Sequence, residues 1–117
     1  MSKKIIIIED DPDILDIMTL ILSEEGYDVL PTANWEPLDE VNVHQPMLIL
    51  LDNRLSEGLG RDVCRQFKSN PLTSHFPVVI VSANSGLEEI ARDSNADGFL
   101  KKPFDITELL ELVKRFE

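Results

Sequence analysis

A single cysteine, Cys64, leaves no partner for an internal disulfide. It stands four residues after Gly60 on an expected helix, with no histidine near it in a recognisable pattern, so it reads as core filler rather than as a nucleophile. Basic residues are scarce: eleven Lys and Arg stand against twenty-two Asp and Glu. The resulting net charge of −11 repels nucleic acid and anionic membrane surfaces and argues against direct DNA binding. No apolar run approaches the length of a membrane span or sits in a signal-peptide frame. Glycine and proline, five and seven residues, mark no linker, and neither repeats nor low complexity stand out. These absences point to a soluble chain suited to a reducing cytoplasm. Its 117 residues, 43% of them hydrophobic, suffice for one domain with a single core.

What is present is an alternation of buried strands and amphipathic helices. Ile5 to Ile8 is a β-branched run of the kind found in a strand covered on both faces. Asp11 is placed to cap the helix that follows, Pro12 suits its first turn, and Ile14, Ile17, Met18, Ile21 and Leu22 form one apolar stripe before Gly26 stops it. Tyr27 to Leu30 reads as a short strand. Asn34 is then placed to cap a weak helix around Pro37 to Val43, where Leu38 and Val41 supply the apolar face.

Met47 to Leu51 is a second continuous apolar run, ended by Asp52. A loop with Gly58 and Gly60 leads into a helix in which Leu59, Val63 and Phe67 recur every four residues, terminated at Asn70-Pro71. Pro77 introduces the strand Val78 to Val81. Ser85 to Glu88 matches a capping box for a short helix carrying Leu87, Ile90 and Ala91. Asp97-Gly98 turns into the strand at Phe99-Leu100. Asp105 to Glu108 offers an acidic capping box for a last helix with Ile106, Leu109, Leu110 and Val113 on one face; Leu112 and Phe116 extend that face, by default into the core. That helix runs almost to Glu117, and no output domain is expected after it, so residues 1–117 read as a single domain. Strict alternation with buried strands implies an α/β, doubly wound parallel sheet covered by helices on both faces.

Four of the strands end on polar residues: Glu9-Asp10, Asp52, Ser82 and, shortly after Leu100, Lys102. In an open parallel sheet such ends converge on one crevice. Three carboxylates drawn together repel one another and favour a cation between them; oxygen donors favour a hard one, Mg²⁺ in particular. Asp52 stands alone at its strand end, where a carboxylate can attack phosphorus to give an acyl phosphate, with Lys102 and the Ser82 hydroxyl supplying charge and a hydrogen bond. Taken singly, each has a plainer reading. Acids after a strand often serve a helix N-terminus, which accounts for Asp11 and Asp13; Ser82 alone would be a turn residue and Lys102 alone a solvated one. His44 and His75 sit in no ligand spacing, and Trp35, near a helix start, reads as packing.

The ordered set resembles the receiver domains of bacterial two-component response regulators over nearly the whole chain. It rests on Ile-Ile-Glu-Asp-Asp after the first strand, Leu-Ile-Leu-Leu-Asp-Asn-Arg-Leu around Asp52, Val-Ser-Ala at 81 to 83, and Phe-Leu-Lys-Lys-Pro-Phe at 99 to 104. The resemblance implies a flavodoxin-like, five-stranded sheet of order 2-1-3-4-5 flanked by five helices. It implies a switch rather than an enzyme, in which Asp52 accepts a phosphoryl group from a sensor histidine kinase, a histidine phosphotransfer protein or a small phosphodonor. Asp10 and Asp52 would hold Mg²⁺ directly, Glu9 through water, and the Arg54 backbone carbonyl would be a further ligand. Ser82 and Phe99 would form the switch, Lys102 would pair with the phosphate, and the Lys102–Pro103 bond would be cis. The face of the fourth helix, fifth strand and last helix would meet a downstream protein; Arg54 and Asn84 would tune the access of water to the acyl phosphate.

Two departures from the family pattern stand out. Ser56 replaces a common proline after Asp52, and the stretch between Ser82 and Phe99 is about two residues short, which points to a stunted fourth helix. A degenerate receiver, acting as a phosphorylation-independent interaction module, is therefore the alternative. A haloacid-dehalogenase-type phosphatase would want a second Asp where Arg54 stands. A flavodoxin-like cofactor binder would want a Gly-, Ser- or Thr-rich phosphate loop where Glu9 to Asp11 stand. Phe99 also has two readings, core residue or switch.

Overall fold

Side chains alternate across a strand, so an uninterrupted apolar strand must be covered on both faces. The computed structural model describes residues 3–33, 38–55 and 58–117. In chain order the elements are β1 (Lys4–Ile8), α1 (Pro12–Glu24), β2 (Asp28–Thr32), α2 (Leu38–His44), β3 (Leu48–Asp52) and the two-residue strands β4 (Arg54–Leu55) and β5 (Gly58–Leu59). They continue with α3 (Gly60–Ser69), β6 (Val78–Ser82), α4 (Leu87–Asp93), β7 (Gly98–Lys101) and α5 (Ile106–Lys114). Asn34, Trp35, Pro37 and Ser56 lie outside the described residues, as does the side chain of Leu38.

The main sheet is parallel throughout, in the order β2-β1-β3-β6-β7. This is the expected 2-1-3-4-5 once the small antiparallel β4–β5 hairpin is left out of the count. The core expected as one is two layers. Ile5, Ile7, Leu48, Leu50, Val79 and Val81 face α1 and α5, meeting Met18, Leu22, Leu109 and Val113. Ile6, Ile8, Ile49, Leu51, Val78 and Ile80 face α2, α3 and α4, meeting Val41, Val63, Phe67 and Leu87. Each such side chain contributes roughly 1.5–3 kcal/mol by leaving water. Cys64 belongs to the second layer, its thiol donating to the Ser94 carbonyl at 3.5 Å and pushed up in pKa by burial, as suits an inert residue.

Local signals explain most boundaries. The Asp11 carboxylate accepts from the backbone N–H of Asp13 at 2.9 Å and of Ile14 at 3.3 Å, and Pro12 occupies the first turn. α1 ends at Gly26, whose φ of +92° suits a residue without Cβ. At α5 the capping box forms as expected: Glu108 N–H donates to Asp105 Oδ1 at 2.8 Å, and Asp105 N–H to Glu108 Oε1 at 3.2 Å. Leu112 is buried and Phe116 packs against the same layer, the core extension anticipated for them.

Three boundaries differ. β2 runs through Pro31 rather than stopping at Leu30. The backbones of Asp28 and Thr32 bond toward β1, through Asp28 N–H to Lys3 C=O and Glu9 N–H to Thr32 C=O, so alternation turns the Pro31 nitrogen away from β1, where no N–H is needed. Tyr27 precedes the strand; it is buried, and its hydroxyl donates to Glu117 Oε1 at 2.6 Å. Leu59 is not helical but extended, paired with Arg54 as the residue before α3. The Ser85 capping box does not form. Asn84 Oδ1 instead accepts from Gly86 N–H at 2.8 Å, an Asx turn that delivers the chain into α4 with Gly86 as its N-cap and no side-chain cap bond. α4 itself has seven residues, in line with the short stretch between Ser82 and Phe99.

Candidate functional site

The C-terminal ends of β1, β3 and β6 and the turn after β7 meet in a cleft of about 390 Å³. Glu9, Asp10, Asp52, Arg54, Ser82, Asn84 and Lys102 all line it, together with Asp11, Ile14 and Ala83. Register explains the convergence: Ile8 pairs with Leu51, Asp52 with Val81 and Ser82 with Lys101, so successive strands end side by side. Residues 93 positions apart thereby come into contact.

Lys102 is the hub. Its ammonium donates to Glu9 Oε1 at 2.8 Å and to Asp52 Oδ1 at 3.0 Å. Glu9 is 2% exposed and Asp52 6%. Burial pushes the Glu9 carboxyl above its usual range, and the Asp52 charge adds to this while the Lys102 ammonium opposes it. Burial works to lower the Lys102 pKa, but its bonds to Glu9 and Asp52 outweigh that and hold it above the ordinary lysine range, so the side chain stays charged. The Lys102–Pro103 peptide is cis, as the resemblance implied.

Asp10 is exposed, and carboxylate oxygens of Glu9, Asp10 and Asp52 lie within 4.8 Å of one another. Three carboxylates face one ammonium. The cluster, the one such group among the described residues, is compatible with Mg²⁺, a hard cation that takes oxygen ligands.

Ser82 is 6% exposed, and its hydroxyl accepts from Asn84 N–H at 3.0 Å. Phe99 is 42% exposed on the outer strand β7, so the core reading of that residue does not hold. It borders a separate shallow groove with Leu100, Glu108, Glu111, Leu112 and Arg115. Ile14, Ala83 and Asn53 were expected in no site role: Ile14 belongs to the α1 stripe, and Asn53 and Ala83 stand in the sequence as neighbours of Asp52 and Ser82. A polar residue directly after a buried strand was the available signal for Asn53; Ile14 and Ala83, apolar beside polar neighbours, carried none.

A model of the response regulator receiver domain matches residues 5–114. The chain belongs to that family. The receiver is 30% identical over 119 residues to the polar-differentiation response regulator DivK of Brucella anthropi, a match covering 99% of this chain and 97% of DivK. It is 35% identical over 114 residues to the DNA-binding dual master transcriptional regulator RpaA of Synechocystis, covering 95% of this chain but 47% of RpaA, so it spans about half the length of that relative. Its fold is that of the receiver domain of the sensor histidine kinase PA1611 from Pseudomonas aeruginosa, with a TM-score of 0.88 at 24% identity over 99% of this chain and 98% of the other. That structure has a magnesium ion coordinated in its active site cleft. Receivers of this family are signalling switches of two-component phosphorelays, which interact with histidine kinases or phosphotransfer proteins. Among the described residues no helix is long and apolar enough to cross a membrane.

Proposed function

We propose that this receiver is a phosphorylatable switch with Asp52 as its phosphoacceptor. The observation that carries the reading is the contact of the Asp52 carboxylate with the Lys102 ammonium at 3.0 Å, inside a cleft that Glu9 and Asp10 share. A carboxylate oxygen of Asp52 attacks the phosphorus of a phosphohistidine. The new O–P bond forms as the N–P bond to the imidazole breaks, and the imidazole nitrogen keeps the electron pair and takes up a proton. The donor is a sensor histidine kinase or a histidine phosphotransfer protein; a small phosphodonor serves the same chemistry.

Asp10 and Asp52 would hold Mg²⁺, with Glu9 acting through water and the Arg54 carbonyl as a further ligand; the oxygen-only donor set supports this assignment. When bound, Mg²⁺ neutralises charge on the transferring group. Lys102 then exchanges its bond to Asp52 for one to the phosphoryl oxygens, and Ser82 donates its hydroxyl to the same group. Phe99 turns inward from its exposed position, and the face of α4, β7 and α5 passes the change to a downstream protein. Arg54 and Asn84, both on the cleft wall, set how readily water reaches the acyl phosphate.

Incubation with acetyl phosphate and Mg²⁺ is expected to add one acid-labile phosphoryl group, read by intact-protein mass spectrometry, and Asp52→Asn to abolish it. A wild type that takes no phosphoryl group from acetyl phosphate or from a panel of phosphorylated histidine kinases would favour the phosphorylation-independent interaction module.

A further inference from the structure

Asn53 lies between the proposed phosphoacceptor and the residue whose carbonyl is a proposed ligand. It is 5% exposed, unusual for a carboxamide. Its backbone N–H donates to the Val81 carbonyl at 3.1 Å, and its own carbonyl accepts from Gly60 N–H at 2.8 Å. Its side-chain Oδ1 accepts from Arg61 N–H at 3.1 Å, eight residues on. Those last two donors belong to the first turn of α3, whose N-cap, Leu59, provides no side-chain bond. The same turn presses directly on the Asp52 backbone: a Cβ on Gly60 would collide with the Asp52 carbonyl oxygen.

An ordinary cap needs only a short polar side chain at the residue before the helix. Leu59 already has the required extended backbone, with φ −110° and ψ 136°. Here the acceptor instead comes from the residue after Asp52, so the bond that satisfies α3 also fixes the chain between Asp52 and Arg54. We propose that Asn53 is a positioning residue: through its bond to Arg61 it holds the Asp52 carboxylate and the Arg54 carbonyl in the relative placement that a divalent cation requires. The inference rests on the reading that these two residues are Mg²⁺ ligands. Partners that orient metal ligands typically matter for affinity by 10–100-fold, and the two backbone bonds of Asn53 survive loss of its side chain, so the lower end of that range is expected.

The test compares the purified full chain as wild type, Asn53→Ala and Asn53→Ala/Leu59→Ser, measuring Mg²⁺ affinity by calorimetry and thermal unfolding without the ion. Asn53→Ala is expected to weaken Mg²⁺ binding about tenfold and to lower the melting temperature. Ser at position 59 gives α3 a cap of its own, so the double variant is expected to recover the melting temperature while its Mg²⁺ affinity stays low. Should Asn53→Ala prove too unstable to handle, the double variant alone carries the comparison. Wild-type Mg²⁺ affinity in Asn53→Ala, or its return in the double variant, would overturn the proposal and leave Asn53 a plain helix cap. A wild type that binds no Mg²⁺ would instead overturn the reading of the ligands, and this inference with it.

Discussion

The two ends of the sheet each carry a lysine shielded from solvent, and the two lysines keep different company. At the end opposite the cleft, Lys68 meets one carboxylate, Asp97, at 2.6 Å, and also donates to the carbonyls of Phe76 at 2.8 Å and Ser74 at 3.3 Å. Asp97 Oδ2 in turn accepts from Val78 N–H at 2.8 Å, so one cation and one anion satisfy each other and stitch the starts of β6 and β7 together. In the cleft, Lys102 bridges Glu9 and Asp52 with Asp10 close by, leaving negative charge in excess. The balanced end is a fastener. The unbalanced end is a receptor, since an arrangement short of positive charge gains from whatever cation enters it.

Substitutions at the two ends test this difference in charge balance. Removing the cation from the cleft has the largest expected effect: Lys102→Met strands Glu9 and Asp52 with no counter-charge and is expected to cost about 3 kcal/mol in urea unfolding at neutral pH, with Mg²⁺ restoring a larger share of stability than it adds to the wild type. A variant as stable as the wild type would mean that the two carboxylates do not depend on the ammonium. Carboxylate removal is expected to act with opposite sign at the two ends. Asp97→Asn loses the stitch and is expected to destabilise by about 1–2 kcal/mol, its partial exposure holding the figure down. Asp52→Asn relieves repulsion while keeping an oxygen for Lys102, and is expected to stabilise the ion-free protein by about 1 kcal/mol. Destabilisation by both would abolish the distinction.

The effect that is smallest at neutral pH lies away from both ends, at Tyr27, where burial first, then the bond to Glu117 and its charge, push the phenol up to about 12 from its ordinary 10.0. The folded value is the higher one. The stabilisation from keeping the phenol protonated is therefore full below about pH 10 and is lost as pH rises through about 12. The chain has one tyrosine, so phenolate absorbance of the folded protein reads this group alone. A midpoint near 10 would show that neither the burial of the phenol nor its bond to Glu117 persists in solution, and Tyr27→Phe is expected to flatten the stability curve over that interval.

Much of this was legible beforehand, and for definite reasons. Ile5 to Ile8, Leu48 to Leu51 and Val78 to Val81 declare themselves because a strand buried on both faces leaves no room for polar residues. The cleft followed from them, since parallel strands bring their ends together whatever their spacing in sequence. What stayed hidden was set by bonds between distant residues or by segments too short for a period. Two-residue strands such as Arg54–Leu55 and Gly58–Leu59 show no alternation, and the β4–β5 hairpin reads as loop. Ser85 matched a capping pattern, but Asn84, one residue earlier, closes the turn first. The part that Asn53 plays at α3 depends on Arg61, eight residues away, which no local rule connects to it.

Pro31 has a consequence for the company this chain keeps at high concentration. β2 forms a border of the sheet, and a border strand offers its free backbone groups as a template for any extended segment of a neighbouring chain. The outward nitrogen of Pro31 has no hydrogen to give, so a sixth strand laid along that border would find a rung missing near its end. The missing donor works against lengthening of the sheet along that border.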